Sequence, residues 1–208
     1  MQELALGFLG GAGAFEVFGR AYGIRLSVAE VNKAVEGWRR ANSWAQAHGQ
    51  QLEAAYLRAM RNKGFEFAAG RIVYLFDGQT LWYSLPSGRV LCYPNAKFDA
   101  EGNVTYTKAA WKPAADAKEW PRARLWRGLA CENVTQATAH DILRESCRQL
   151  DREGIAIVLT VHDEIVVECD AKLADKVGAR IHEVMCTAPK WASNLPLAAE
   201  GVVTTRYS

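Results

Sequence analysis

The sequence predicts an α+β fold, with helical stretches and antiparallel sheets segregated along the chain. Three observations carry that expectation. Residues 71–93 alternate apolar runs with Asp77-Gly78 and Pro86-Ser87-Gly88, the punctuation of a β-meander. Two long stretches, Ser27 to about Lys63 and Glu132 to Glu153, repeat apolar residues at helical spacing. Finally, Ile155 to Glu168 sets β-branched runs on either side of His162-Asp163-Glu164, which reads as two buried strands joined by a tight turn.

Taken in order, Glu3 to Phe15 reads as an apolar helix running into Gly10, Gly11 and Gly13, where glycine permits a sharp turn. No capping residue precedes it, so the sequence is expected to begin inside a helix. Ser27-Val28-Ala29-Glu30 is a capping-box pattern opening the long stretch to Lys63. Val31, Ala34, Val35, Trp38, Ala41 and Ala45 form its apolar side, and Gly49 is the expected break. Lys33, Arg39, Arg40, Arg58, Arg61 and Lys63 make a basic side, for which plain solvation competes with phosphate contact.

The meander follows, with a further turn at Glu101-Gly102-Asn103 before Val104–Lys108. Trp111 to Trp126, rich in Lys, Arg, Ala and Trp, reads as an irregular connection. The helix from Glu132 ends before Gly154, the favoured C-terminal position for glycine. Its apolar side is Ala139, Ile142, Leu143, Cys147 and Leu150. Another face carries Asn133, Gln136, His140 and Arg144, hydrogen-bonding groups that could track a nucleic-acid strand or simply form a polar exterior. After the hairpin, Asp170 caps a helix through Met185, and Leu197–Tyr207 reads as extended. Three portions result: 1–64 helical, 65–126 the meander and connection, and 127–208 the C-terminal helix-and-hairpin portion.

Bulk properties exclude several classes. With 208 residues, 50% hydrophobic and 23% charged, the composition is that of an ordinary globular protein. No run approaches a membrane span, and the start lacks the basic region of a signal peptide. Five scattered cysteines without a CxxC point to reduced thiols and a cytoplasmic setting. His182 and Cys186, four apart, are too few for a zinc site. Residues 1–131 hold 17 Lys/Arg against 11 Asp/Glu, while 132–208 hold 8 against 12. A basic part beside an acidic part suits a polyanion-binding surface next to a metal-binding one.

Two adjacent carboxylates at the tip of a hairpin facing a cleft call for a divalent ion. Alone the triplet is a weak signal; its context of helix, Gly154, strand, triplet, strand and Glu168 is more specific. Here the chain resembles the family A DNA polymerases, the class of bacterial polymerase I and many phage replicases. Val161-His162-Asp163-Glu164-Ile165-Val166 is similar to their motif C, Glu132 to Leu143 to their palm helix, and Leu4-Ala5-Leu6-Gly7-Phe8 to the end of motif B on the fingers helix. Leu85-Pro86-Ser87-Gly88-Arg89, Pro189-Lys190-Trp191-Ala192, Leu195-Pro196-Leu197, Glu200-Gly201 and Arg206-Tyr207 resemble phage members.

The resemblance implies a partial palm with a catalytic hairpin, a helical fingers remnant and the β-meander. It implies deoxynucleotidyl transfer from dNTPs to a primer 3′-hydroxyl on a DNA primer–template, with two Mg²⁺ ions in the complete enzyme. Asp163 would ligate the ions, Glu164 would support the site and His162 would meet the primer terminus. Gln136, with Asn133, His140, Arg144 and His162, would lie along the DNA, Gln136 touching the minor groove. Phe8 falls nearest the nucleotide-stacking position. The family's upstream cations of motif B and the Asp of motif A have no counterpart here, since no Lys or Arg precedes Arg20. The chain by itself is therefore expected to be inactive: one half of a split enzyme with a partner polypeptide supplying motif A, or a fragment of an interrupted or incompletely sequenced polymerase gene. A non-catalytic nucleic-acid-binding module is the alternative. A metal hydrolase using the triplet would need further ligands, and only Asp141 and Glu168 lie near in sequence.

Overall fold

A computed structural model describes residues 2–109 and 120–207, which form two compact units, Met1–Thr135 and Gln136–Ser208. Mixed helices and antiparallel sheets match the expected class. No helix among the described residues is long and apolar enough to cross a membrane.

In the first unit, the expected N-terminal helix is two. Helix α1 (Gln2–Leu6) stops at Gly7, and α2 (Ala12–Ala21) begins after a turn in which Leu9 takes a φ of 64°. The capping box forms as read: the Ser27 hydroxyl accepts from Glu30 N, and Glu30 accepts from Ser27 N at 2.8 Å. It opens α3 (Val28–Ala41). Val31, Val35, Trp38 and Ala45 are buried, joined by Leu6, Leu9 and Phe15, whereas Ala41 is exposed. The Trp38 indole also donates to Glu3 at 2.8 Å.

Gly49 does not break the helix. The break falls at Asn42, whose backbone N–H and side-chain amide both donate to the Trp38 carbonyl and end α3. Helix α4 (Ser43–Arg61) runs straight through Gly49. Glycine is required there because the Leu9 side chain occupies the space a Cβ would take. A glycine read from sequence as a breaker is a packing notch.

Helix α4 packs on a four-stranded antiparallel sheet in consecutive order: β1 (Glu66–Ala69), β2 (Ile72–Phe76), β3 (Leu81–Ser84) and β4 (Val90–Tyr93). At the Asp77-Gly78 turn, Asp77 accepts from Gln79 N, Thr80 N and the Trp82 indole at 2.7–2.8 Å. A second antiparallel sheet has β5 (Lys97–Phe98), β6 (Val104–Thr107) and β7 (Arg122–Arg124). The short strands β1, β5 and β7 have no expected counterpart. Strand β7 lies in the segment read as irregular; residues 110–119 of that segment lie outside the described residues.

Five tyrosines run through this core. Tyr56, Tyr74, Tyr83, Tyr93 and Tyr106 are all buried, with successive ring centroids 6.0, 5.8, 5.2 and 4.9 Å apart. Burial pushes every one of these phenols up, Tyr83 to about 12.

Helix α5 (Arg127–Arg152) starts earlier than Glu132, and Gly154 follows it at a φ of 75°, as expected of a C-terminal glycine. Its buried stripe is turned from the expected one: Val134, Asp141, Leu143, Ser146 and Leu150 are buried and Ala139 is exposed. The polar members are tolerated because Arg144 pairs with Asp141 at 3.5 Å and Ser146 donates to the Ile142 carbonyl. In the second unit, β8 (Ile157–Val161) and β9 (Glu164–Val167) pair antiparallel. Asp170 accepts from Lys172 N and opens a 3₁₀ turn into α6 (Ala174–Met185). Leu197–Tyr207 carries no regular element. All five thiols are free: Cys92 and Cys169 exposed, Cys131 buried, Cys147 and Cys186 between.

Candidate functional site

The tip of the β8–β9 hairpin is where the sequence places the chemistry. Val161 pairs with Glu164, so the connection is the two residues His162 and Asp163. Two-residue hairpin loops favour positive φ at the first central position, usually filled by glycine. Here His162 fills it at a φ of 53°. A bulky residue there costs on the order of 1–3 kcal/mol, strain that gathers at functional positions. His162 and Asp163 are both exposed at the tip. Glu164, the first residue of β9, accepts a 2.9 Å hydrogen bond from the Tyr207 hydroxyl. The Glu164 carboxylate pushes the Tyr207 phenol up, keeping it a donor.

The strands differ from expectation. They are not buried: Val158 is 51% and Leu159 39% exposed, and the remaining apolar residues are half-buried. Among the described residues the sheet has two strands, with a register irregularity at Val158, and no neighbouring strand covers its edges. The uninterrupted β-branched pattern of a core strand thus sits on a hairpin open to solvent.

Among the described residues, no three His, Cys, Asp or Glu side chains lie together as a metal site. Asp141 is buried and pairs with Arg144 at 3.5 Å. Asp163 fits a carboxylate ligand and Glu164 a supporting one, but together they are only part of what a divalent ion needs.

Helix α5 presents the proposed DNA-facing residues unevenly. Gln136, His140 and Arg144 are exposed at four-residue intervals, one row along the helix. Asn133 is half-buried, its amide donating to the Tyr93 hydroxyl at 2.9 Å, where it ties α5 to β4. Phe8 lies half-buried in the turn after α1, its carbonyl against Gly128. Sequence reasoning missed Tyr207, although the terminal Arg206-Tyr207 pair stood among the phage-like residues.

Compared with known proteins, all of the chain aligns, at 31% identity over 207 residues, with a protein named DNA polymerase from Bacillus phage SP02. This chain resembles a phage DNA polymerase along its whole length. It spans 32% of the SP02 polymerase, and the hairpin, α5 and the meander all fall within the polymerase-like region. No protein-family model and no solved structure matches the chain.

Proposed function

We propose that the chain is the C-terminal fingers-and-palm part of a phage-type family A DNA polymerase and takes part in template-directed DNA synthesis. The whole-length similarity to the SP02 DNA polymerase carries this reading. The strained His162-Asp163 turn supports it by putting a carboxylate at an exposed tip.

In this reading the first unit contributes the fingers portion and the second the palm hairpin. Asp163 holds divalent metal, Glu164 backs it from the strand while Tyr207 orients its carboxylate, and His162 and the Gln136 row contact DNA. Two Mg²⁺ ions, when bound, would activate the primer 3′-hydroxyl and stabilise the leaving pyrophosphate. A single turn offers too few oxygens for such a pair, so the remaining ligands come from a motif A outside this sequence, and the chain alone does not extend primers.

The experiment mixes purified chain with primed template, Mg²⁺ and dNTPs, with and without an upstream polypeptide bearing motif A. Extension only in the mixture, abolished by Asp163→Ala, is the expected result. Extension by the chain alone overturns the division of the site, and restored extension indifferent to Asp163→Ala overturns the role of the turn. The lack of a three-ligand cluster among the described residues favours one alternative, a binding module without catalysis. Salt-sensitive DNA binding with no extension in any mixture would select it.

A further inference from the structure

Strand β7 and its flanks read Trp120-Pro121-Arg122-Ala123-Arg124-Leu125-Trp126. Ladder hydrogen bonds run from Lys108 N to the Pro121 carbonyl and from Leu125 N to the Val104 carbonyl, so the segment between is extended along β6. Side chains alternate between faces. Ala123 pairs with buried Tyr106, and Leu125 is 2% exposed, which fixes the inner side. Arg122 and Arg124 occupy the outer side with Thr107, Thr105 and Lys97, the last two in one cross-strand row with Arg124. Trp120 and Trp126, 61% and 42% exposed, continue the alternate positions at either end.

No acidic residue occurs in the three strands, whose outward positions include Lys97, Arg122 and Arg124, and exposed Trp120 and Trp126 flank β7 in the chain. Asp99, beside Arg124 at the β5–β6 turn, already accepts from Glu101 N, Asn103 N and the Asn103 amide. The face is also pre-organised. The Arg122 guanidinium is held by the Asn95 and Thr105 carbonyls and the Thr105 hydroxyl at 2.8–3.1 Å. The Trp126 ring rests on Gly128, which has no Cβ to displace it.

We propose that this face binds a single strand of nucleic acid, the indoles stacking on bases and Lys97, Arg122 and Arg124 meeting phosphates. Aromatic platforms with interleaved cations bind unpaired strands because any base offers a π-face. Successive outward residues are about 6.6 Å apart, and Trp120 to Trp126 spans about 20 Å, enough for about four nucleotides at the small end of such sites. A duplex keeps its bases stacked on each other, and an acidic peptide would leave both indoles unused. The face shares no residue with the hairpin tip, so each stands or falls separately.

The test is fluorescence anisotropy of the full chain with labelled 12-nucleotide oligo-dT, over a NaCl series. The single strand should bind about tenfold more tightly than a 12-base-pair duplex. Trp120→Ala should weaken it about tenfold, with Trp120→Phe largely restoring it. Arg124→Ala should reduce the slope of log K against log salt by about 0.7. Lys176→Ala, the same charge change on α6, should do neither, and circular dichroism checks that each exposed-site variant is folded. Wild-type binding by Trp120→Ala, or duplex or oligo-glutamate competing as well as oligo-dT, would overturn the proposal.

Discussion

At the scale of single residues, two side chains hold positions their type does not favour. His162 sits where glycine is at ease, so His162→Gly should raise unfolding stability of the hairpin unit by about 1 kcal/mol, read by urea denaturation. A loss of stability instead would mean that the imidazole makes a compensating contact. Given the proposed role of His162 at the primer terminus, the same change impairs extension in the reconstituted enzyme, so stability and activity move in opposite directions. Asn133 was expected on a DNA-facing row, and its amide is committed to Tyr93. Asn133→Ala removes one of two partners of the buried Tyr93 hydroxyl, Tyr83 being the other, and should cost about 1 kcal/mol in a thermal or urea melt. An unchanged midpoint would show that this hydroxyl finds another partner.

At the scale of elements, turn chemistry was legible and packing was not. Asp77-Gly78, Pro86-Ser87-Gly88, Gly154 and the Ser27–Glu30 box all mark real boundaries, because local backbone demands write themselves into local residues. Gly49 was misread because glycine's second use, admitting the Leu9 side chain, depends on a segment forty residues away. Gly49→Ala would overpack that notch and destabilise the first unit by about 1–3 kcal/mol, whereas a helix-breaking role predicts stabilisation of about 1 kcal/mol. Strand β7 escaped notice because Arg-Ala-Arg lacks apolar alternation, its pattern visible only in which side each residue takes. The hairpin was found, but its burial was overestimated, since β-branched runs look alike whether or not a neighbouring strand covers them. Of the candidate site, the turn and the Gln136 row were readable; Tyr207 was not, being brought to Glu164 by the path of the chain.

At the scale of the molecule, the tyrosine chain sets an alkaline limit on the first unit. Free phenols ionise near pH 10, whereas burial holds Tyr56, Tyr74, Tyr83 and Tyr93 protonated well above that. Raised native values mean the unfolded chain binds fewer protons, so stability is full below about pH 10 and falls as pH rises through the native values. Tyrosinate absorbance should therefore rise in a cooperative step as the first unit unfolds; a gradual rise while the sheets persist would show the rings to be accessible. The scattered thiols turn the same molecule into a clock. Cys92 and Cys131 belong to the first unit, and Cys147, Cys169 and Cys186 to the second. A brief pulse of alkylating reagent marks Cys92 and Cys169 at once, while Cys131, buried and with its thiol pushed up, must wait for its surroundings to open. Weighing the tagged peptides against time separates the opening of one unit from the other without introducing a label or altering a residue.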